Sequence, residues 1–178
     1  MIPCLDVAGI LGRQLRALAA EQPGFDWEVV IVDNGSTDAT ASVARSFGSQ
    51  FDRFTFVTEP RRGCHHARNA GWRASAGVKV AFVDADDVIV AGYVAAMAAA
   101  LDEYDLVGGR LIHDVADLSE SNGNSLSAVQ TVGLVPGPGF LPYVMGANFG
   151  VRRTAIEAVG GFASDVPFGE DADLSWCL

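Results

Sequence analysis

Three carboxylates in four residues, Asp84, Asp86 and Asp87, end an apolar run in AFVDADDVIV. Ionised side by side in one turn they repel one another, and a bound cation relieves that repulsion. Hard oxygen donors grouped this way suit a divalent ion held against a phosphate. The competing reading is that they cap the next helix and complement its dipole, for which one Asp is enough. A second acidic pair, Glu170-Asp171 in GEDADLSW, has the chemistry of a general base. Taken alone, that pair reads better as the acidic first turn of a helix, favoured by the dipole. Asp33 follows the apolar run EVVIV and can accept hydrogen bonds from N–H or O–H groups of a ligand. Cys64-His65-His66 is no zinc site by this reading, because neighbours on a helix point apart and helical metal pairs prefer i, i+4 spacing. His113 has no visible partner and reads as a strand residue.

These groups need elements to hold them, and the chain alternates strand and helix patterns. Ile10, Leu11, Leu15 and Leu18 fall at helical spacing within Val7–Ala20. Glu28–Val32 is a β-branched run of the kind buried on both faces of a parallel sheet. In DNGSTDATASVARSF, Asn34-Gly35 predicts a turn, Ser36 or Thr37 a helix cap, and the Ala, Val and Phe positions a helix face. Further strands are expected at Phe54–Thr58, Val78–Val83 and Leu106–His113. Further helices are expected at Cys64–Ala76, Tyr93–Leu101 and Val151–Val159, with a last one starting near Glu170. Ser119–Gly139, rich in Gly, Ser, Asn and Pro, reads as a long loop of the functional or mobile kind. Such alternation predicts an α/β fold, a mostly parallel sheet with helices on both faces. Ligands of these folds gather at the carboxyl ends of strands, where Asp33 and the DADD turn both lie.

Composition narrows the function. The 178 residues fit one domain with a sizeable core, and 49% hydrophobic content is that of a globular chain. With 12 Lys plus Arg against 22 Asp plus Glu, the formal charge of −10 repels phosphate backbones, so nucleic acid is not expected as a partner. The apolar helical stretch Tyr93–Leu101 is far short of the roughly 18 residues that span a bilayer. No basic segment followed by an apolar one marks a signal peptide at the start. Three scattered cysteines argue against a disulfide framework and fit a reducing cytoplasm.

The motifs IVDNGSTDAT, GCHHARNAGWRASAG, VAFVDADD, GANFGVRR, GGF and GEDADLSW, in this order, resemble the family 2 glycosyltransferases of the GT-A fold. The resemblance covers nearly the whole chain and implies one GT-A domain over 1–178, its nucleotide-binding part over about 1–90 and its acceptor and catalytic part over about 91–178. It implies an inverting transfer from a nucleotide diphospho-sugar, a UDP-sugar first among them, to an acceptor hydroxyl on a glycan, lipid-linked sugar or small molecule. Asp33 would then receive the base or ribose. Asn34 stands where many relatives carry an Asp that contacts uracil, and its carbonyl and amide would keep contact with the nucleotide. Arg68 would approach the nucleotide or diphosphate, where a guanidinium fork suits phosphate oxygens, with a surface salt bridge as the alternative. Asp84 would hold the ribose or base side, while Asp86 and Asp87 would hold Mg²⁺ or Mn²⁺ against the diphosphate. Asp171 would be the catalytic base, with Glu170 its rival or an orienter of the acceptor. Gly146 and Ala147 would permit close approach at the sugar and acceptor pocket, and Asn148 would bond sugar hydroxyls.

Both ends depart from the family pattern. Only Met1 and Ile2 precede Pro3, where relatives carry a full apolar strand in the middle of the sheet, so unpaired backbone groups are expected beside it. The chain stops at Trp176-Cys177-Leu178, where relatives continue the helix. A fragment or trimmed product is expected, completed in one version by homodimer contacts, and located in the cytoplasm or against the inner face of the membrane. Two rivals stay open. A sugar-phosphate nucleotidyltransferase would share the acidic nucleotide site, but its glycine-rich basic loop is missing near Asp6-Val7-Ala8-Gly9. A catalytically incomplete domain could serve as a nucleotide or sugar-binding module.

Overall fold

The computed structural model describes residues 1–112, 133–137, 140–166 and 168–178. Its elements run β1 (Ile2–Cys4), α1 (Leu11–Ala19), β2 (Val29–Asp33), α2 (Thr40–Ser46), β3 (Phe54–Thr58), α3 (Cys64–Ala74), β4 (Lys79–Val83), α4 (Tyr93–Ala100), β5 (Leu106–Gly108), β6 (Asn148–Arg152), α5 (Arg153–Ala158) and α6 (Glu170–Cys177). β1 pairs parallel with β2, and β2 with β3. β6 lies antiparallel between β4 and β5. Met1 joins the two halves: its nitrogen donates to the Ala81 carbonyl at 2.8 Å and its carbonyl accepts from Val83 N at 3.2 Å, the pattern of a parallel pair. The strands thus lie in the order β3-β2-β1-β4-β6-β5, parallel through the first part and antiparallel in the second.

β2 is buried along its whole length, and its alternation divides two cores. Val29 and Ile31 pack with Leu11, Leu15, Leu18 and Ala44 of α1 and α2. Val30 and Val32 face Ala67 of α3 on the opposite side. Helices therefore cover both faces, as expected of an α/β sheet. A third cluster gathers Trp72, Phe82, Phe149, Phe162 and Leu174, with the Phe82 and Phe149 rings stacked at 4.6 Å between centroids. Gly150 is needed in that region, since a Cβ there would lie 2.5 Å from the Met97 sulfur and keep α4 off the sheet.

Several expectations shift. α1 starts at Leu11, leaving Ile10 39% exposed, because Val7 to Ile10 form the turn before it. α2 begins at Thr40, later than Ser36 or Thr37 would place it; the Asp38 carboxylate accepts the Thr40 N–H at 2.8 Å. Val151 and Arg152 belong to β6, so the helix expected over Val151–Val159 is only Arg153–Ala158. Buried between two neighbours, β6 has a continuous apolar middle, which periodicity cannot tell from a buried helix turn. β5 stops at Gly108, short of the expected strand; His113 lies outside the described residues, as does most of Ser119–Gly139.

The short first strand suffices at the carboxyl end of the sheet, where Cys4 pairs with Asp33. At the other end a cavity of about 500 Å³ separates β2 from β4, lined by Val29, Val30, Lys79, Val80 and Ala81. This cavity is at the far end of the strands from the acidic loops and does not mark the site.

Candidate active site

The carboxyl ends of β2 and β4 bring the acidic residues to one edge of the sheet. Asp33 closes β2, only 7% exposed, and its Oδ1 accepts the Ser36 N–H at 3.0 Å. Asn34 is 4% exposed and fully engaged: its Nδ2 donates to the carbonyls of Glu59 at 2.9 Å and Arg61 at 2.7 Å, and its Oδ1 accepts the Gly63 N–H at 2.9 Å. With both amide hydrogens used, Asn34 shapes the loop that leads into α3 instead of offering donors to a base. Glu59 stiffens the same loop through two 2.9 Å bonds from the Arg61 guanidinium, and that contact holds its carboxyl down at about 2.

β4 runs out at Val83, and the Asp84 N–H donates to the Ala147 carbonyl at 3.1 Å. Beyond it, oxygen atoms of Asp84, Asp86 and Asp87 lie within 4.8 Å of one another, with Asp84 half-buried and the other two exposed. Burial pushes the Asp84 carboxyl up to about 6; Arg68 opposes that shift, and Asp86 and Asp87 add to it. The arrangement fits a hard divalent cation. All donors are carboxylate oxygens, and the exposed pair leaves room for water and phosphate oxygens in the remaining positions.

Arg68 stands at the centre of the site. It projects from α3, is 3% exposed, and donates to Asp84 Oδ1 at 3.2 Å, to Glu170 Oε1, and to the Gly146 carbonyl at 2.9 Å. Burial works against the guanidinium charge, but Cys64 and the Asp84, Glu170 and Asp171 carboxylates outweigh it and shift Arg68 upward. The sequence suggests a phosphate-facing arginine or a surface salt bridge; instead, the group is a buried tie between the DADD turn and α6. Glu170 is committed to this tie. Asp171, beside it, accepts the Gly146 N–H at 2.7 Å through Oδ2 and the Ala172 N–H at 2.8 Å through Oδ1. Gly146 is thus held from both sides, by Arg68 on its carbonyl and by Asp171 on its N–H.

Gly146 does permit a close approach, but of Arg68: a Cβ there would lie 2.7 Å from the guanidinium. Ala147 and Asn148 line a groove of about 800 Å³ together with Asp87, Tyr93 and Arg110. Asn148 Oδ1 accepts the Tyr93 hydroxyl at 2.8 Å and its Nδ2 donates to the Arg110 carbonyl at 3.2 Å. The structure therefore brings Asp84, Arg68, Gly146, Glu170 and Asp171 into one bonded group, with Asp86 and Asp87 beside it. No motif in the sequence singles out Gln14, Glu59 or Tyr93. Of these, Gln14 carried a visible signal, a polar residue in the apolar stripe of α1.

Comparison with known proteins fits this geometry. Residues 1–160 match the model of Glycosyl transferase family 2. A PGL/p-HBAD biosynthesis glycosyltransferase of Mycobacterium tuberculosis is 35% identical over 117 residues, 63% of this chain and 45% of that protein. Glycosyltransferase AglE of Haloferax volcanii is 35% identical over 88 residues, 48% of this chain and 29% of that protein. The chain thus spans less than half the length of these relatives. Among solved structures, TarS of S. aureus superposes with a TM-score of 0.75 at 20% identity, covering 99% of this chain and 53% of the other. The Pyrobaculum calidifontis mannosyltransferase PcManGT, solved with GDP-Man and Mn²⁺, gives 0.70 at 25% identity, covering 96% and 48%. The architecture is that of the GT-A fold, and the chain belongs to glycosyl transferase family 2.

Proposed function

We propose that this chain carries the donor site and catalytic base of an inverting, metal-assisted glycosyltransferase that moves a sugar from a nucleotide diphospho-sugar to an acceptor hydroxyl. The observation that supports it best is the Gly146 bridge, which ties Asp171 to the same rigid unit as the acidic loop. A base must be within hydrogen-bond reach of the hydroxyl it deprotonates, on the face opposite the leaving group. Asp171 is suited to this because Glu170 is paired with Arg68, while each Asp171 oxygen keeps a lone pair beyond its backbone bond. Asp33, at the end of β2, offers its carboxylate to the nucleoside. Asp86 and Asp87 hold Mg²⁺ or Mn²⁺ with Asp84 beside them. That ion, when bound, neutralises charge growing on the leaving diphosphate. On this reading residues to about 90 form the donor half and the remainder the acceptor half. A UDP-sugar is the first donor to test: among structural neighbours TarS was solved with UDP-GlcNAc and PcManGT with GDP-Man, which supports a nucleotide diphospho-sugar as donor. Among the described residues no helix is long and apolar enough to cross a membrane.

Calorimetric titration with UDP, GDP and dTDP, each with Mn²⁺ and again with EDTA, tests the donor site on this chain and on Asp86→Ala. Metal-dependent binding of one nucleotide, lost in the variant, is the expected result. A folded chain that binds none of them overturns the proposal. Transfer of label from the matching nucleotide sugar to an acceptor then separates an enzyme from a binding module.

A further inference from the structure

The acidic turn between β4 and α4 is clamped from below by a residue of α1. Gln14 is 0% exposed although it is polar, and it sits in the stripe of Leu11, Leu15 and Leu18. Its Oε1 accepts the Ile89 N–H at 2.9 Å, and its Nε2 reaches the Asp84 carbonyl at 3.4 Å. One side chain thus holds both ends of the segment from Asp84 to Ile89. Ala85, 4% exposed, and Ile89 pack into the same core as Leu11 and Leu15. With those two side chains turned inward, Asp86 and Asp87 are turned outward. A buried amide in an apolar stripe costs free energy unless both of its ends are satisfied, and here the partners are the backbone of this loop.

We propose that Gln14 is a positioning residue for the cation site, fixing the spread of the Asp84, Asp86 and Asp87 carboxylates through the backbone at Asp84 and Ile89. This rests on the metal-binding reading above. Residues that orient metal ligands in this way typically change metal affinity about 10- to 100-fold when removed. The Ile89 contact is the shorter of the two, so an acceptor at position 14 matters more than a donor.

The test is Mn²⁺ titration by electron paramagnetic resonance, with whichever of UDP, GDP or dTDP binds in the calorimetry present, on the wild type, Gln14→Met and Gln14→Glu, alongside hydrogen exchange at the Ile89 amide and the thermal midpoint. Gln14→Met keeps the volume and removes the acceptor; it is expected to weaken Mn²⁺ binding about tenfold and release the Ile89 amide. Gln14→Glu keeps an acceptor for Ile89 and is expected to recover most of that affinity. A role in packing alone reverses this order, because Met suits an apolar core and a buried carboxylate does not. A folded Gln14→Met with wild-type Mn²⁺ affinity overturns the proposal and leaves the metal reading intact. A wild type that takes up no Mn²⁺ overturns both. If neither variant folds, the wild type decides: an Ile89 amide exchanging as fast as an open loop overturns the clamp, and a protected one supports it.

Discussion

The guanidinium of Arg68 lies 2.9 Å from the carbonyl of Gly146 and occupies the space that a Cβ at that position would need. The contact joins α3 to the turn before β6, and the same turn donates its N–H to Asp171. A glycine and a buried cation therefore set where Asp171 stands relative to the acidic loop.

Gly146→Ala should be felt at once. The added methyl meets guanidinium nitrogens at 2.7 and 2.9 Å, closer than side chains tolerate. Overpacking of this kind costs about 1–3 kcal/mol. Denaturant unfolding should show that loss, with a fall in nucleotide affinity as Arg68 is displaced from Asp84.

Arg68→Ala removes the shared partner of Asp84 and Glu170 while the Glu170 side chain stays 13% exposed. Breaking a buried pair from one side costs about 3–5 kcal/mol. Arg68→Lys should recover only part of this, since one ammonium cannot reproduce the planar fork toward three acceptors. Chemical denaturation of the two variants against wild type checks both statements.

Asp171→Asn tests the proposed base at nearly constant volume: its amide oxygen can still accept the Gly146 N–H, while its NH₂ gives up the Ala172 contact. Turnover should fall about 10²- to 10⁴-fold while metal-dependent nucleotide binding is retained. Equal loss of binding and turnover would make Asp171 a structural residue. Initial rates and calorimetry on one preparation separate the two.

Glu59 predicts a pH dependence. Its carboxyl is held at about 2 by the Arg61 guanidinium, below its ordinary 4.5, so its contribution is present above 4.5 and lost as pH falls through about 2. The Glu59→Gln variant should be less stable than wild type near neutral pH, with the gap closing across that acid window. Stability followed by circular dichroism between pH 7 and pH 2 checks this.

Metal removal should act on stability as well as binding. A ligand at one hundred times its dissociation constant raises stability by about 2.7 kcal/mol. Saturating Mn²⁺ should therefore raise the thermal midpoint of the wild type, EDTA should reverse the rise, and Asp86→Ala should show neither effect.

The strand and helix alternation, the two acidic motifs and their order along the chain were legible because they depend on local period and on what each residue type can do. The buried run ending at Asp33 and the apolar stripe of α1 are local facts, and the structure reproduces both with shifts of a few residues. Val151 and Arg152 of β6 carry no strand signal in the sequence, because a short strand buried on both faces has no period of its own. The partners of Asn34, Gln14 and Arg68 were not legible at all. Asn34 spends its amide on the loop before α3, Gln14 reaches a loop 75 residues away at Ile89, and Arg68 meets Glu170 across 102 residues. Sequence by itself determined the family, the sheet-and-helix plan and which carboxylates gather at the strand ends. Tertiary structure decided which polar groups are consumed in building this end of the sheet and which stay exposed there, since that depends on long-range contacts that no local pattern encodes.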